Sequence, residues 1–224
     1  MSFDSDFAFM RSLGYDQGEI YKKGRFRPAT FWKGTRVMQY GSTIHKDRCL
    51  MVALTKIDSN EIPSDAEKPP SDIAWVSNLH LSAGNGLGQN ERRLRQMYEC
   101  VDTIRKEQNK VLTIVSKDKK GPKKKGQAKD GSGDGDNFVD LSFTTVIVGD
   151  MNMDSSVERA LRGEGNSAVD ELLTKGVVDA GFIEDGVTVT SKAKINKIGL
   201  LCDAYELAYK PDRPPATLVV EGRI

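Results

Sequence analysis

The sequence predicts a layered α/β fold, and three observations point to it. Apolar, β-branched runs at residues 49–55, 73–81 and 143–148 have the length and residue types of strands. Between the second and third runs, Leu94, Met97, Val101 and Ile104 recur at helical spacing. The third run ends in Gly149-Asp150-Met151-Asn152, a polar strand end of the kind that open α/β sheets place at a ligand. Strands alternating with helices are the pattern of sheets covered by helices.

Taken in order, residues 7–13 suit a short helix that stops at Gly14. Residues 29–33 and 49–55 read as strands, the second nearly all apolar and therefore central. The stretch from Asp58 to Asp72, with Pro63, Pro69 and Pro70, is a surface loop, and residues 73–81 form the next strand. Asn90 can cap the following helix, which turns Arg92, Arg93, Arg95 and Glu99 to water, and Val111–Val115 begins a further strand. From Lys117 to Lys129 there are seven lysines and one aspartate, followed by an Asp/Gly-rich run to position 137. Such a segment buries too little apolar surface to offset its chain entropy, so it is expected to be disordered. It reads either as a basic arm for phosphates or as a solvated insertion. The run 143–148 has no polar face and is expected to be buried on both sides; Ala168–Leu173 is helical to Gly176, Gly199–Tyr209 is helical before Pro211, and Ala216–Val220 is a last strand. No internal repeat is apparent.

A chain of 224 residues holds one large domain or two small ones. Its net charge of +1 provides no global basic field for nucleic acid. Cys49, Cys100 and Cys202 are widely spaced and form no CxxC pair, which favours reduced thiols over a disulfide framework or a zinc site. No apolar run approaches the ~20 residues of a bilayer span. The N-terminal residues lack the features of a signal peptide, so the expected location is cytoplasmic or nuclear.

Asp150 and Asn152 share side-chain parity, as do Asn78 and His80, while Leu79 and Leu81 point the other way. Should the two strands be neighbours, four polar groups converge on one rim, an arrangement suited to phosphoryl chemistry. The alternative is a structural histidine and an ordinary polar turn.

These residues carry a resemblance. Asn78-Leu79-His80-Leu81, then Arg93-Leu94-Arg95-Gln96 on a helix, then Gly149-Asp150-Met151-Asn152 resembles the endonuclease/exonuclease/phosphatase superfamily, with Met151 in place of the usual phenylalanine. Within it the sequence is most similar to carbon catabolite repressor-type deadenylases of the nocturnin and angel kind. Gly14-Tyr15-Asp16-Gln17-Gly18, Ala29-Thr30-Phe31-Trp32, Glu171–Gly176 and Leu201-Cys202-Asp203-Ala204-Tyr205 add to the likeness, which runs from about Phe7 to about Val220.

The resemblance implies a four-layer α/β sandwich of two packed mixed sheets flanked by helices. It also implies a magnesium-dependent phosphoesterase, with manganese as the alternative ion, acting on RNA or another phosphodiester. Asp150 and Asn152 would orient water and phosphate, His80 would contact a phosphate oxygen, and Asn78 would support it. Tyr15 and Lys22 could reach the substrate, and Asp150 would touch the metal. The family's main metal-binding glutamate falls roughly at Ser2, and its late Asp-His pair has no counterpart, the two histidines being His45 and His80. Residues 1–224 are therefore expected to be a partial domain with an insertion at about 117–137, of little activity alone. A pseudoenzyme retaining a phosphate- or RNA-binding face, and a site assembled from other residues, are the alternatives. The lead function is an RNA 3′-exonuclease or deadenylase; the same fold hosts DNA-repair nucleases and inositol or sphingolipid phosphoesterases.

Overall fold

The β-prone runs pair into one mixed sheet. A computed structural model describes residues 5–22, 27–57, 69–84, 88–118, 141–154, 156–203 and 218–222. After a 3₁₀ turn at Ser5–Arg11, β1 (Gln17–Ile20) and β2 (Ala29–Trp32) form an antiparallel ribbon. Then come β3 (Val37–Lys46), β4 (Cys49–Lys56), β5 (Asp72–His80), α1 (Gln89–Asp118) and β6 (Ser142–Asp150). Next are α2 (Ser156–Leu161) and α3 (Ala168–Asp170), the latter continuing as a π-helical turn, Glu171–Lys175. The short strands β7 (Val177–Val178), β8 (Ile183–Glu184), β9 (Val187–Thr188), β10 (Lys194–Ile195) and β11 (Cys202–Asp203) precede β12 (Leu218–Gly222). The six-stranded sheet has the order β11-β12-β6-β5-β4-β3, with β5 and β6 parallel and the other neighbours antiparallel.

Alternation decides which face is covered. On β5, Ile73, Trp75, Ser77 and Leu79 are buried, and on β6 Phe143, Thr145 and Ile147 are buried. They face Leu94, Met97, Cys100, Val101 and Ile104 of α1 in one core cluster, where a large apolar side chain contributes about 1.5–3 kcal/mol on burial. The other face differs from the expectation for 143–148, because Thr144, Val146 and Val148 are only half-buried. The β1–β2 ribbon lies instead over β4, where Trp32 joins Leu50 and Val52 in a second, small cluster. That makes β4 the strand with both faces buried.

Four local expectations are corrected. Residues 111–115 belong to α1, because Val111 keeps the helical period of Ile104 and is buried on the same face. Arg93 does not face water: it is 5% exposed and its guanidinium donates to the Ser82 and Gly84 carbonyls, at 3.1 and 2.9 Å. Asn90 is not a cap but lies within the first turn of α1, with its side chain bonded to Arg93 and Asp185. The expected helix at 199–209 is not helical where described: Leu201 donates its N–H to the Leu173 carbonyl at 2.8 Å, and Cys202–Asp203 pairs with β12.

The insertion from 119, most of the 58–72 loop, Ser2 and residues 204–217 lie outside the described residues. The fold is mixed α/β. Among the described residues the remaining strand pairings are two-stranded ribbons, so the second sheet of a sandwich is not formed by them. No described helix is long and apolar enough to cross a membrane. Cys49 and Cys100 are unbridged, with their sulfurs 3.7 Å apart in the core.

Candidate functional site

Parallel pairing brings the two polar strand ends together. His80 and Asp150 are register partners at the carboxyl ends of β5 and β6. Gly149 makes this pairing possible. Its φ is +131°, and a Cβ there would meet the Leu79 carbonyl oxygen at 1.9 Å. Only glycine lets β6 approach β5 this closely, one residue before the carboxylate.

The rim is held by backbone and short side-chain bonds. Leu81 donates its N–H to the Asp150 carbonyl at 2.9 Å, extending the pairing by one residue. The chain then turns sharply at Asn152, whose φ is +48°. Its N–H donates to Asp150 Oδ1 at 2.9 Å, an Asx-type turn, and its Nδ2 donates to the Leu81 carbonyl at 2.9 Å. Asp150 Oδ2 lies 4.0 Å from His80 Nε2, too far for a direct hydrogen bond. An oxygen atom about 2.8 Å from each would close that triangle. The Asp150 side chain is 58% exposed and that of His80 25%, so solvent reaches both. Met151 is half-buried against the main core, anchoring the turn from beneath.

The structure thus brings His80, Asp150 and Asn152 together. Asn78 lies on the same face of β5, but its Nδ2 donates to the Ala29 carbonyl at 2.8 Å and ties the sheet to β2. Lys22 follows β1 at the rim end of the ribbon and is close enough to His45 to depress its pKa. Tyr15 precedes β1 at the opposite end, under the Lys33 ammonium. Arg93 and Gln96, part of the α1 motif that carries the resemblance, brace the rim from beneath. Arg93 holds the loop after β5, and Gln96 accepts from the Ser82 N–H at 3.0 Å while donating to Asp47 at 2.9 Å. The available signal was the helical period, since 93, 97, 100 and 104 share one face.

Beyond Asn152 opens a cleft of about 1320 Å³ with a charged lining. Arg159, 6% exposed, donates from Nε to the Gly165 carbonyl at 2.7 Å and from Nη2 to Asp185 at 3.1 Å. Its Nη1 lies 3.7 Å from Glu184 and 3.9 Å from Glu164. Burial pushes the Glu184 carboxyl up, while its bond from the Ala168 N–H opposes the shift. Arg162 bonds both Asp154 and Glu164, which holds Glu164 below the usual carboxylate range. Asp185 and Gly186, both at positive φ, form the tight turn between β8 and β9.

Magnesium takes several oxygen ligands. Among the described residues no group of three or more His, Cys, Asp or Glu could hold a metal ion; the titratable side chain beside Asp150 is His80, at 4.0 Å. The described donor set therefore does not make a magnesium site.

No family model matches the chain, and no curated protein matches it. Among solved structures it is similar to a humanized D. rerio TDP2 carrying 14 mutations. The two are 13% identical with a TM-score of 0.36, over 78% of this chain and 51% of that one. The chain thus spans about half the length of that protein.

Proposed function

We propose that the rim handles a phosphoester, in the manner of an RNA 3′-exonuclease or deadenylase. The observation that best supports this reading is the pairing of His80 with Asp150, in register, at the ends of two parallel strands. Asp150 would orient a water and accept its proton; its carboxylate is exposed, and Oδ1 is already turned by the Asn152 N–H. A ring N–H of His80 would donate to a phosphate oxygen. The Asn152 amide, fixed on the Leu81 carbonyl, would set the edge against which the phosphate rests. Such hydrolases depend on magnesium, for which ligands beyond Asp150 are required, so turnover by the described set alone is expected to be slow.

The test uses the full chain with fluorescein-labelled oligoadenylate, matched DNA and an inositol phosphate, read by anisotropy or calorimetry. RNA is expected to bind best. His80→Ala and Asn152→Ala should each weaken it about ten- to a hundredfold, the worth of one hydrogen bond to a charged group. Asp150→Asn should tighten binding by removing a like charge, while lowering any magnesium-stimulated hydrolysis at least about 100-fold. Absence of saturable binding to all three ligands would sink the proposal. A preference for DNA or inositol phosphate would reassign the substrate. Fast magnesium-dependent turnover, abolished by Asp150→Ala, would show a complete metal site.

A further inference from the structure

The turn between β3 and β4 consists of Asp47 and Arg48, since Lys46 and Cys49 are already paired. Arg48 adopts φ +56°, the left-handed region that glycine enters freely and a long side chain enters at a cost. Its backbone carbonyl accepts the His80 N–H at 3.0 Å, so the turn is fastened to the end of β5. Its Nη1 lies 3.5 Å from the Leu81 carbonyl, the same oxygen that accepts the Asn152 amide. The guanidinium therefore stands over the rim, one residue from His80 and across a shared carbonyl from Asn152.

A rim containing the Asp150 carboxylate repels a phosphodiester unless a cation stands beside it. Arg48 is permanently charged and offers five N–H donors, of which the long contact to Leu81 engages one. Among the described residues it forms no ion pair with a carboxylate; the adjacent Asp47 is taken by Gln96. Lys22 and Lys46 are exposed on neighbouring elements and contribute diffuse charge rather than a fixed fork.

Resting on the phosphoester reading above, we propose that Arg48 is the phosphate-binding residue of this rim. Its guanidinium grips a non-bridging oxygen of the phosphodiester that His80 and Asn152 address. The strained φ fits this role. Glycine would make the turn at less cost but would bring no charge.

Two substitutions separate binding from folding. Arg48→Gly relieves the backbone, and Arg48→Lys keeps the charge without the fork. Anisotropy of fluorescein-labelled oligoadenylate on the full chain, over a range of salt, measures affinity, and thermal unfolding measures stability. Arg48→Gly should weaken binding about tenfold or more and lower the salt slope by about one, with an unfolding midpoint equal to wild type or higher. Arg48→Lys should recover part of the affinity. If His80→Ala and Asn152→Ala weaken binding while Arg48→Gly binds like wild type, Arg48 has no such role and the phosphoester reading stands. If Arg48→Gly lowers the unfolding midpoint by several degrees, the side chain is structural and the inference fails. If wild type shows no saturable binding, both fall together.

Discussion

Two polar clusters adjoin on this fold, meeting at Asn152, and they differ in how far their charges are already neutralised. In the cleft under the β8–β9 turn, Arg159 and Arg162 are surrounded by Glu164, Glu184, Asp185 and Asp154, and each guanidinium is both hydrogen-bonded and ion-paired. At the rim, Asp150 accepts one short backbone bond and faces His80 across 4.0 Å, and Arg48 makes one long bond. The cleft is thus the more self-satisfied of the two clusters. A ligand entering the cleft must displace existing ion pairs, whereas a ligand at the rim meets capacity that protein groups leave over. The cleft network holds α2, the β8–β9 turn and the start of α1 together, and this fixes the loop that follows Asp150. The cleft supports; the rim keeps polar groups exposed.

The largest expected effect comes from breaking the rim at its root. Gly149→Ala would put a Cβ 1.9 Å from a backbone oxygen at a φ that side chains avoid. Overpacking and backbone strain together should cost roughly 4 kcal/mol, seen as a lower urea midpoint. An unchanged midpoint would mean that close approach of β5 and β6 is not what positions Asp150. The next effect tests the cleft. Arg159→Met leaves Glu184 buried without its cation and should cost about 3 kcal/mol, while oligonucleotide affinity stays within about twofold of wild type. A loss of affinity with little loss of stability would reverse the comparison and make the cleft the binding site.

The smallest effect concerns neither cluster but His45 of β3, beside the β1–β2 ribbon. Both ring nitrogens of His45 are buried without a hydrogen-bond partner among the described residues. Burial, then the Lys22 charge, lowers its pKa, with Glu19 opposing. The unfolded chain therefore binds this proton more readily than the folded one. The associated stability is present above the unfolded value of about 6.5 and is lost as pH falls through the lower folded value. Thermal unfolding from about pH 7 to about pH 5 should show a falling midpoint, with a shallower fall in His45→Phe. Equal slopes would remove His45 from the account.

What could be read without coordinates was local. The strand ends at His80 and Asp150, the shared parity of Asn78 and His80, the buried β4 and the apolar stripe of α1 follow from periods of 2 and 3.6 within single elements, whereas Asn152 lies past the end of β6 in a turn, where parity does not apply. The errors were also local in origin. The apolar, β-branched residues of 111–115 suggest a strand, although the helical period from Ile104 runs on through Val111. The charge of Arg93 suggests a solvent position, although its place on the inner face, within reach of the Ser82 and Gly84 carbonyls, decides otherwise.

By itself the sequence determined which residues end the strands and which side of each strand they occupy, because a pleated chain leaves that choice to parity alone. Only the tertiary structure decided that β5 and β6 are neighbours in parallel register, that Asn78 turns to Ala29, and that Arg48 stands over the rim. Those facts depend on pairing between segments far apart in the chain. Such pairing is set by shared burial under α1 and by the one glycine that lets two backbones touch.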